Sequence, residues 1–392
     1  MIRLAGTLKP YQWGSRSVMH DFLGWPADGE PCAELWFGAH PAGPSAVVGG
    51  RAPDLAAHIA ADPAATLGPR RDERPELPFL LKLLAPGEPV SLQVHPSSAM
   101  ARAGFADEQR RGVHPDAPHR IFADESSKPE MLYALTAFDG LAGFRSPDAI
   151  RATLALLPDA GGLRQAAAGV SAGETWARVL AAALAVTPED LRRLVAAARS
   201  ARGESAIATF IELAEAYPGD AGALAGLILE RHRLEPGDAL PVPAGTPHSY
   251  LSGLAVEVMA NSDTVIRGGL TQKHVDVERF IACVDLVETQ PSPWRAPVTP
   301  MPIRTLAPAA APFCLTVVEA TGTVIAIPGD GPRIALAVDG QVRLRSAAGA
   351  ERSAARGEAF FVDAADGELA VSGSGTLVVA SAEPSRGAKE IA

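Results

Sequence analysis

The sequence predicts a mainly β chain: a small barrel interrupted by an α-helical insertion and followed by a second, smaller β domain. Three observations predict it. From Leu4 to about Phe144, apolar stretches such as Ala46-Val-Val, Pro78-Phe-Leu-Leu-Lys-Leu-Leu and Met131-Leu-Tyr-Ala-Leu are bounded by glycine and proline turns. From Ser146 the punctuation changes to helix starts, and at Arg233-Leu-Glu-Pro-Gly strand text resumes. The tail, about 303 to 385, is again a run of short strands between glycine turns.

In Ser146-Pro147-Asp148, serine at the cap, proline at the first helical position and an acid in the first turn open a helix with Ile150, Leu154 and Leu157 on one face. Thr187-Pro188-Glu189-Asp190 repeats the signal before Leu191, Leu194, Val195 and Ala198. The apolar stripes of this insertion, 146–230, read as core. A short helix is expected at 275–282, and the proline-rich stretch from Gln290 to Pro302 reads as a linker. In the tail, strands are expected at 334–338, 341–344, 359–362 and 377–379. The expected domains are therefore 1–145 with 231–300, the insertion 146–230, and a C-terminal domain 301–392.

A chain of 392 residues, 47% apolar and 20% charged, has room for two or three globular domains. Its formal net charge of -10 argues against a nucleic-acid surface, so an anionic substrate needs a local basic pocket. No signal peptide or membrane-length apolar run is visible, and a cytoplasmic protein, monomeric or weakly dimeric, is expected. Cys32, Cys283 and Cys314 lack metal spacing and read as core residues of a reducing compartment. Only five lysines stand against thirty arginines, and three of them, Lys82, Lys128 and Lys273, fall inside motif blocks, while Lys9 and Lys389 lie near the ends. A retained lysine suggests a task for a compact, titratable charge.

Two stretches carry related punctuation. Gly87 is followed after five residues by Gln93-Val94-His95; Gly237 is followed after five by Pro243-Ala244-Gly245 and, two residues later, His248. A turn glycine leads into a strand whose two-residue period sends Gln93 and His95 to one face, and a second tight turn projects His248. This frame resembles the two-part motif of cupins, jelly-roll barrels that hold a metal inside. One amide oxygen and two imidazoles want an anionic oxygen, and Glu130 in Ser127-Lys128-Pro129-Glu130 is the candidate. Such donors suit zinc, with manganese, iron or cobalt open from ligand type alone. His20, His58, His114, His119 and His232 read as hydrogen-bonded core residues. Arg267, before Gly268-Gly269, reads either as a salt-bridge partner of Asp263 or Glu257 or as a clamp for a substrate oxyanion. Gly357 to Glu368 aligns without gaps on Gly237 to His248, with Glu368 in the histidine's place, and no histidine occurs after residue 300. The C-terminal domain thus reads as a cupin-like β domain without its metal.

Over nearly its whole length the chain resembles the type I phosphomannose isomerases. The resemblance is carried by Tyr11-Gln-Trp-Gly-Ser, Ala33-Glu-Leu-Trp-Phe-Gly-Ala-His-Pro-Ala-Gly-Pro-Ser, Pro78-Phe-Leu-Leu-Lys-Leu-Leu, Ser91-Leu-Gln-Val-His-Pro, Lys128-Pro-Glu-Met, Pro243-Ala-Gly-Thr-Pro-His and Arg267-Gly-Gly-Leu-Thr-Gln-Lys. It implies zinc held by Gln93, His95, Glu130 and His248. It also implies Arg267 in the active site, Lys128 and Glu257 lining the pocket and Lys82 and Ser91 near the substrate; on this basis Arg267, Lys128 and Glu257 are the expected catalytic residues, and Lys82, Ser91 and Lys273 are expected to hold the phosphate. The implied reaction interconverts mannose 6-phosphate and fructose 6-phosphate through an enediolate, the proton being handled by Lys128 or by water at the metal, with Glu257. The chain departs from the family at Ser127 (usually histidine), Thr264 (often asparagine) and Gln272 (proline), and none of these is an implied metal ligand. The competing readings are a ferrous-iron cupin oxygenase and a sugar-binding cupin without turnover.

Overall fold

Two antiparallel sheets face each other and enclose the barrel interior. One runs, in order, Ala239–Val242, Glu130–Ala134, Ala255–Ala260, Phe79–Leu84, Glu34–Phe37, Thr7–Lys9; the other runs Ile266–Gly269, Leu92–Val94, His248–Ser252, Phe138–Phe144, Leu229–Leu234. This is the expected mainly β jelly roll. The computed structural model describes residues 1–68, 76–169, 176–201, 203–284, 291–299, 301–329 and 331–382. Gln290 and Lys389 lie outside the described residues.

The strand period explains why Phe79-Leu-Leu-Lys-Leu-Leu is apolar almost throughout. All six residues are buried because both faces of this sheet are covered. Phe79, Leu81 and Leu83 join Met131, Tyr133, Val256 and Val258 against the C-terminal domain's Leu315, Val317, Ile334, Leu336 and Phe361. Leu80 and Leu84 point the other way, Leu80 with Trp36 and Met259, Leu84 with Leu132, Phe138 and Tyr250. Lys82 shares that inward face, so its charge lies inside the barrel. On the opposite sheet Leu92 and Val94 pack outward on insertion residues such as Ile150, Leu154 and Phe210, which leaves Gln93 facing in.

The chain forms helices where Ser146 and Thr187 cap them: Pro147–Ala155 and Pro188–Ala198, each cap side chain accepting an N–H of the first turn. The short helix runs Val277–Cys283, starting two residues later than expected because Asp276 provides the cap. The reading of 4–144 as strand and loop alone is corrected by helices at Val18–Leu23, Leu55–Ala61, Pro63–Leu67 and Ser98–Arg110. Ser98–Arg110 escapes periodicity because it buries only Ala101 and Glu108.

A third, nine-stranded sheet contains the C-terminal strands, but also Ile2–Ala5 and Ala46–Val48. Ile2 pairs with Phe361 and Leu4 with Ala359, so the expected boundary between 1–145 and 301–392 is crossed by the first strand of the chain. The expected strands 334–338 and 341–344 are one bent strand, Arg333–Ser346, paired along its length with Leu369–Ala382. Gly340 allows the bend: its φ is 63°, and a Cβ there would lie 2.2 Å from the Ser374 carbonyl oxygen. The internal repeat has a backbone counterpart. Gly237 and Gly357 take φ of 90° and 85°, and each leads into a four-residue strand, Ala239–Val242 and Ala359–Val362.

Phe361 is fully buried where its strand, paired with Ile2–Ala5, packs on the sheet that holds Phe79–Leu84. Phe361→Ala is expected to lower stability by about 3–5 kcal/mol, read from urea unfolding; a loss below about 1 kcal/mol would show that this interface contributes little. The three cysteines are buried, as expected. His20 and His232 are buried and hydrogen-bonded and the half-buried His58 bonds Asp363, but His114 and His119 are exposed, a correction: both sit on the loop after the Ser98–Arg110 helix. Among the described residues no helix is long and apolar enough to cross a membrane.

Candidate active site

Backbone pairing brings distant residues into one cluster. His248 and Arg267 both register opposite Gln93, so three neighbouring strands present these side chains together. The turn before His248 is tied to the first motif by Gly245 N–H, which donates to the His95 carbonyl at 2.8 Å. Glu130 comes from the facing sheet, where it registers opposite Met259.

The donor atoms of His95, Glu130 and His248 lie within 4.8 Å of one another, and all three residues are buried. His95 Nδ1 lies 2.9 Å from the Thr264 carbonyl and His248 Nδ1 lies 2.9 Å from the Thr246 carbonyl. A carbonyl only accepts, so each Nδ1 carries the hydrogen and each Nε2 keeps its lone pair. Those lone pairs face the Glu130 carboxylate, His95 Nε2 at 3.0 Å from Oε1 and His248 Nε2 at 3.5 Å from Oε2. His95 Nε2 is within contact distance yet has no hydrogen bond of acceptable geometry. Converging electron-pair donors with an orphaned buried nitrogen are what a divalent cation resolves, and the donor set fits zinc. Gln93 stands beside them with its amide nitrogen 3.1 Å from His248 Nε2 and its oxygen toward Ser91 Oγ at 3.4 Å. Exchanging amide oxygen and nitrogen, which are nearly isosteric, makes Gln93 the fourth donor, through its oxygen.

Charge around the cluster favours this state. Burial opposes ionisation of Glu130, but Lys128 and His95 overcome it and hold the carboxyl well below its usual range. Lys128 Nζ lies 3.0 Å from Glu130 Oε1, and Tyr250 donates its hydroxyl to Oε2 at 2.8 Å. Burial, with Lys128 nearby, lowers the His95 imidazole to about 4, so it is neutral and able to ligate at pH 7.

Next to this cluster Glu257 registers opposite Lys82, with Nζ 2.7 Å from Oε2. Burial works against the Lys82 charge, but Glu257 and Glu34 raise its pKa and keep it protonated. Burial lifts the Glu257 carboxyl to about 7; Lys82 opposes this, while Glu130 and Glu34 add to it. Lys82 is therefore an internal charge shared by Glu257 and Glu34. At the rim, Arg267 is half-buried, and among the described residues no carboxylate lies within ion-pair distance of it. The bland alternative for Arg267 fails because Asp263 faces His40 at 3.4 Å and Glu257 faces Lys82. Lys273 is exposed, its Nζ 5.1 Å from the Tyr11 ring.

The structure brings Gln93, His95, Glu130, His248, Lys128, Lys82 and Glu257 together, with Arg267 and Ser91 half-buried beside Gln93 and Lys273 exposed. Sequence reasoning gave no role to Glu34, Trp36, His40 or Tyr250. Glu34 lies 3.8 Å from Lys82 and accepts from Trp36 Nε1 at 2.5 Å; the Trp36 ring also stacks edge-on with His40. For Glu34, a lone carboxylate inside the apolar Ala33-Glu-Leu-Trp-Phe block was the available signal.

The model of the catalytic domain of type I phosphomannose isomerase matches residues 1–147. The mannose-6-phosphate isomerase of Salmonella typhimurium is 37% identical over 295 residues, covering 72% of this chain and 74% of that protein. The human enzyme is 31% identical over 307 residues, 70% of each chain. A solved mannose 6-phosphate isomerase bound with zinc and yttrium superposes with a TM-score of 0.88 at 31% identity, over 98% of this chain and 100% of the other.

Proposed function

Since the chain belongs to the type I phosphomannose isomerase family, we propose that it interconverts mannose 6-phosphate and fructose 6-phosphate by zinc-assisted proton transfer through an enediolate. The observation that carries this reading is the convergence of two imidazole lone pairs and the Glu130 carboxylate on one buried point.

Gln93, His95, Glu130 and His248 would hold the zinc ion. When bound, zinc supplies Lewis acidity beside adjacent sugar oxygens, worth several kcal/mol. In the forward direction, carbon 2 of the open aldose loses its proton, the electron pair forms the C1–C2 double bond, and negative charge gathers on oxygen 1. Arg267, a cation without a carboxylate partner among the described residues, faces that charge. Glu257, raised to about 7, matches the pKa a base needs to take the carbon-bound proton and return it at carbon 1. Lys128 exchanges the proton that must leave oxygen 2 as oxygen 1 gains one. Lys273 and Ser91 hold the phosphate at the opening, and Lys82 holds Glu257 in place.

Turnover of mannose 6-phosphate in heavy water tests the proton path. Deuterium is expected at carbon 1 of the fructose 6-phosphate product, and the Glu257→Gln enzyme is expected to slow by about 100-fold or more. Complete retention of the substrate hydrogen at unreduced rate in Glu257→Gln would remove Glu257 from the path. Oxygen uptake with ferrous iron, in place of sugar isomerisation, would establish the oxygenase reading instead.

A further inference from the structure

The insertion reaches the rim of the site through one turn, Tyr217 to Leu224. Asp220 Oδ1 accepts the Gly222 N–H at 2.7 Å within that turn, and Oδ2 accepts the Leu270 N–H at 2.7 Å across the domain junction. Leu270 lies three residues after Arg267, is fully buried and takes a φ of 54°, a left-handed conformation that a leucine adopts only when its surroundings enforce it. The approach is tight: a Cβ on Gly269 would fall 2.7 Å from Asp220 Oδ1 and 2.9 Å from the Gly222 Cα. From Leu270 the chain turns through Lys273 and returns, Asp276 N–H donating to the Arg267 carbonyl at 3.2 Å. The same insertion turn grips the neighbouring strand, because the Tyr217 hydroxyl donates to the Pro89 carbonyl at 2.7 Å, ahead of Ser91 and Gln93.

We propose that Asp220 is a positioning residue for the isomerase site: by holding the left-handed corner at Leu270, it sets where Arg267 stands. The helical insertion then serves catalysis through this contact as well as covering the barrel. The proposal rests on the role given to Arg267 above. With the carboxylate gone, no other acceptor among the described residues takes the Leu270 N–H, and the loop 268–275 relaxes toward ordinary backbone.

The test is a double-mutant cycle on the zinc-loaded enzyme. Asp220→Asn, which retains shape but offers one acceptor where two are needed, is expected to lower kcat/KM for mannose 6-phosphate at least tenfold, with zinc stoichiometry unchanged. In an Arg267→Ala background the same change is expected to cost less than about twofold, since its target is gone. A structural defect would add in both backgrounds, and that additivity overturns the proposal. Hydrogen exchange separates this from the reading of Arg267 itself: segment 267–276 is expected to exchange at least tenfold faster in Asp220→Asn whatever Arg267 does. Unchanged exchange there also overturns it, whereas faster exchange with an Arg267→Ala enzyme of full activity supports the clamp and removes Arg267 from the mechanism.

Discussion

His248→Ala is expected to bind zinc in less than stoichiometric amount and to lose on the order of 1,000-fold or more in kcat/KM, the rate equivalent of the several kcal/mol that a Lewis acid contributes. The reason lies in the number of donors. His248 is fully buried, its Nδ1 hydrogen is committed to the Thr246 carbonyl, and its Nε2 is one of only two imidazole lone pairs in the cluster. Alanine leaves His95, Glu130 and the Gln93 amide, a set too poor in nitrogen for zinc. Metal analysis of the purified variant, beside the coupled assay before and after chelation, reads both effects. Full activity with chelator present, or in the variant, would sink the metal-assisted mechanism.

Lys82→Met is expected to damage stability and activity by separable routes. Lys82 is 5% exposed and Glu257 3% exposed, and they touch at 2.7 Å inside the barrel. Removing the cation leaves a buried carboxyl beside Glu130 and Glu34, a loss of about 3–5 kcal/mol in unfolding free energy. The double variant Lys82→Met, Glu257→Gln removes both charges and is expected to recover most of that loss, because a paired neutral replacement leaves no stranded ion. Activity is not expected to return, staying about 100-fold or more below the starting enzyme. A Lys82→Met enzyme as stable as the parent would show that the pair does not hold charge in the folded interior. Recovery of activity in the double variant would show that Glu257 takes no part in proton transfer.

Much of the site was legible because it is local. Gln93 and His95 fall on one face by strand period, Pro243 to His248 is a turn whatever surrounds it, and the Ser146 and Thr187 caps act within a single helical turn. The helix Ser98–Arg110 was not legible for the converse reason: it fully buries only Ala101 and Glu108, with Met100 and Phe105 half-buried against the core, so its apolar stripe is too thin to mark it. The exposed His114 and His119 show the same limit, since a lone histidine carries no record of its burial.

By itself, then, the sequence determined the two metal-motif halves, the insertion between them and the mainly β class, each from residues within a dozen positions of one another. Only the tertiary structure decided which strands are neighbours. It set Lys82 opposite Glu257, turned the Glu130 carboxylate toward both histidines, left Arg267 without a carboxylate partner among the described residues and laid Ile2–Ala5 beside Ala359–Val362. Alternation tells which face of a strand a side chain takes, but sheet order and register arise from the packing of both faces at once, and that information is spread over the whole chain.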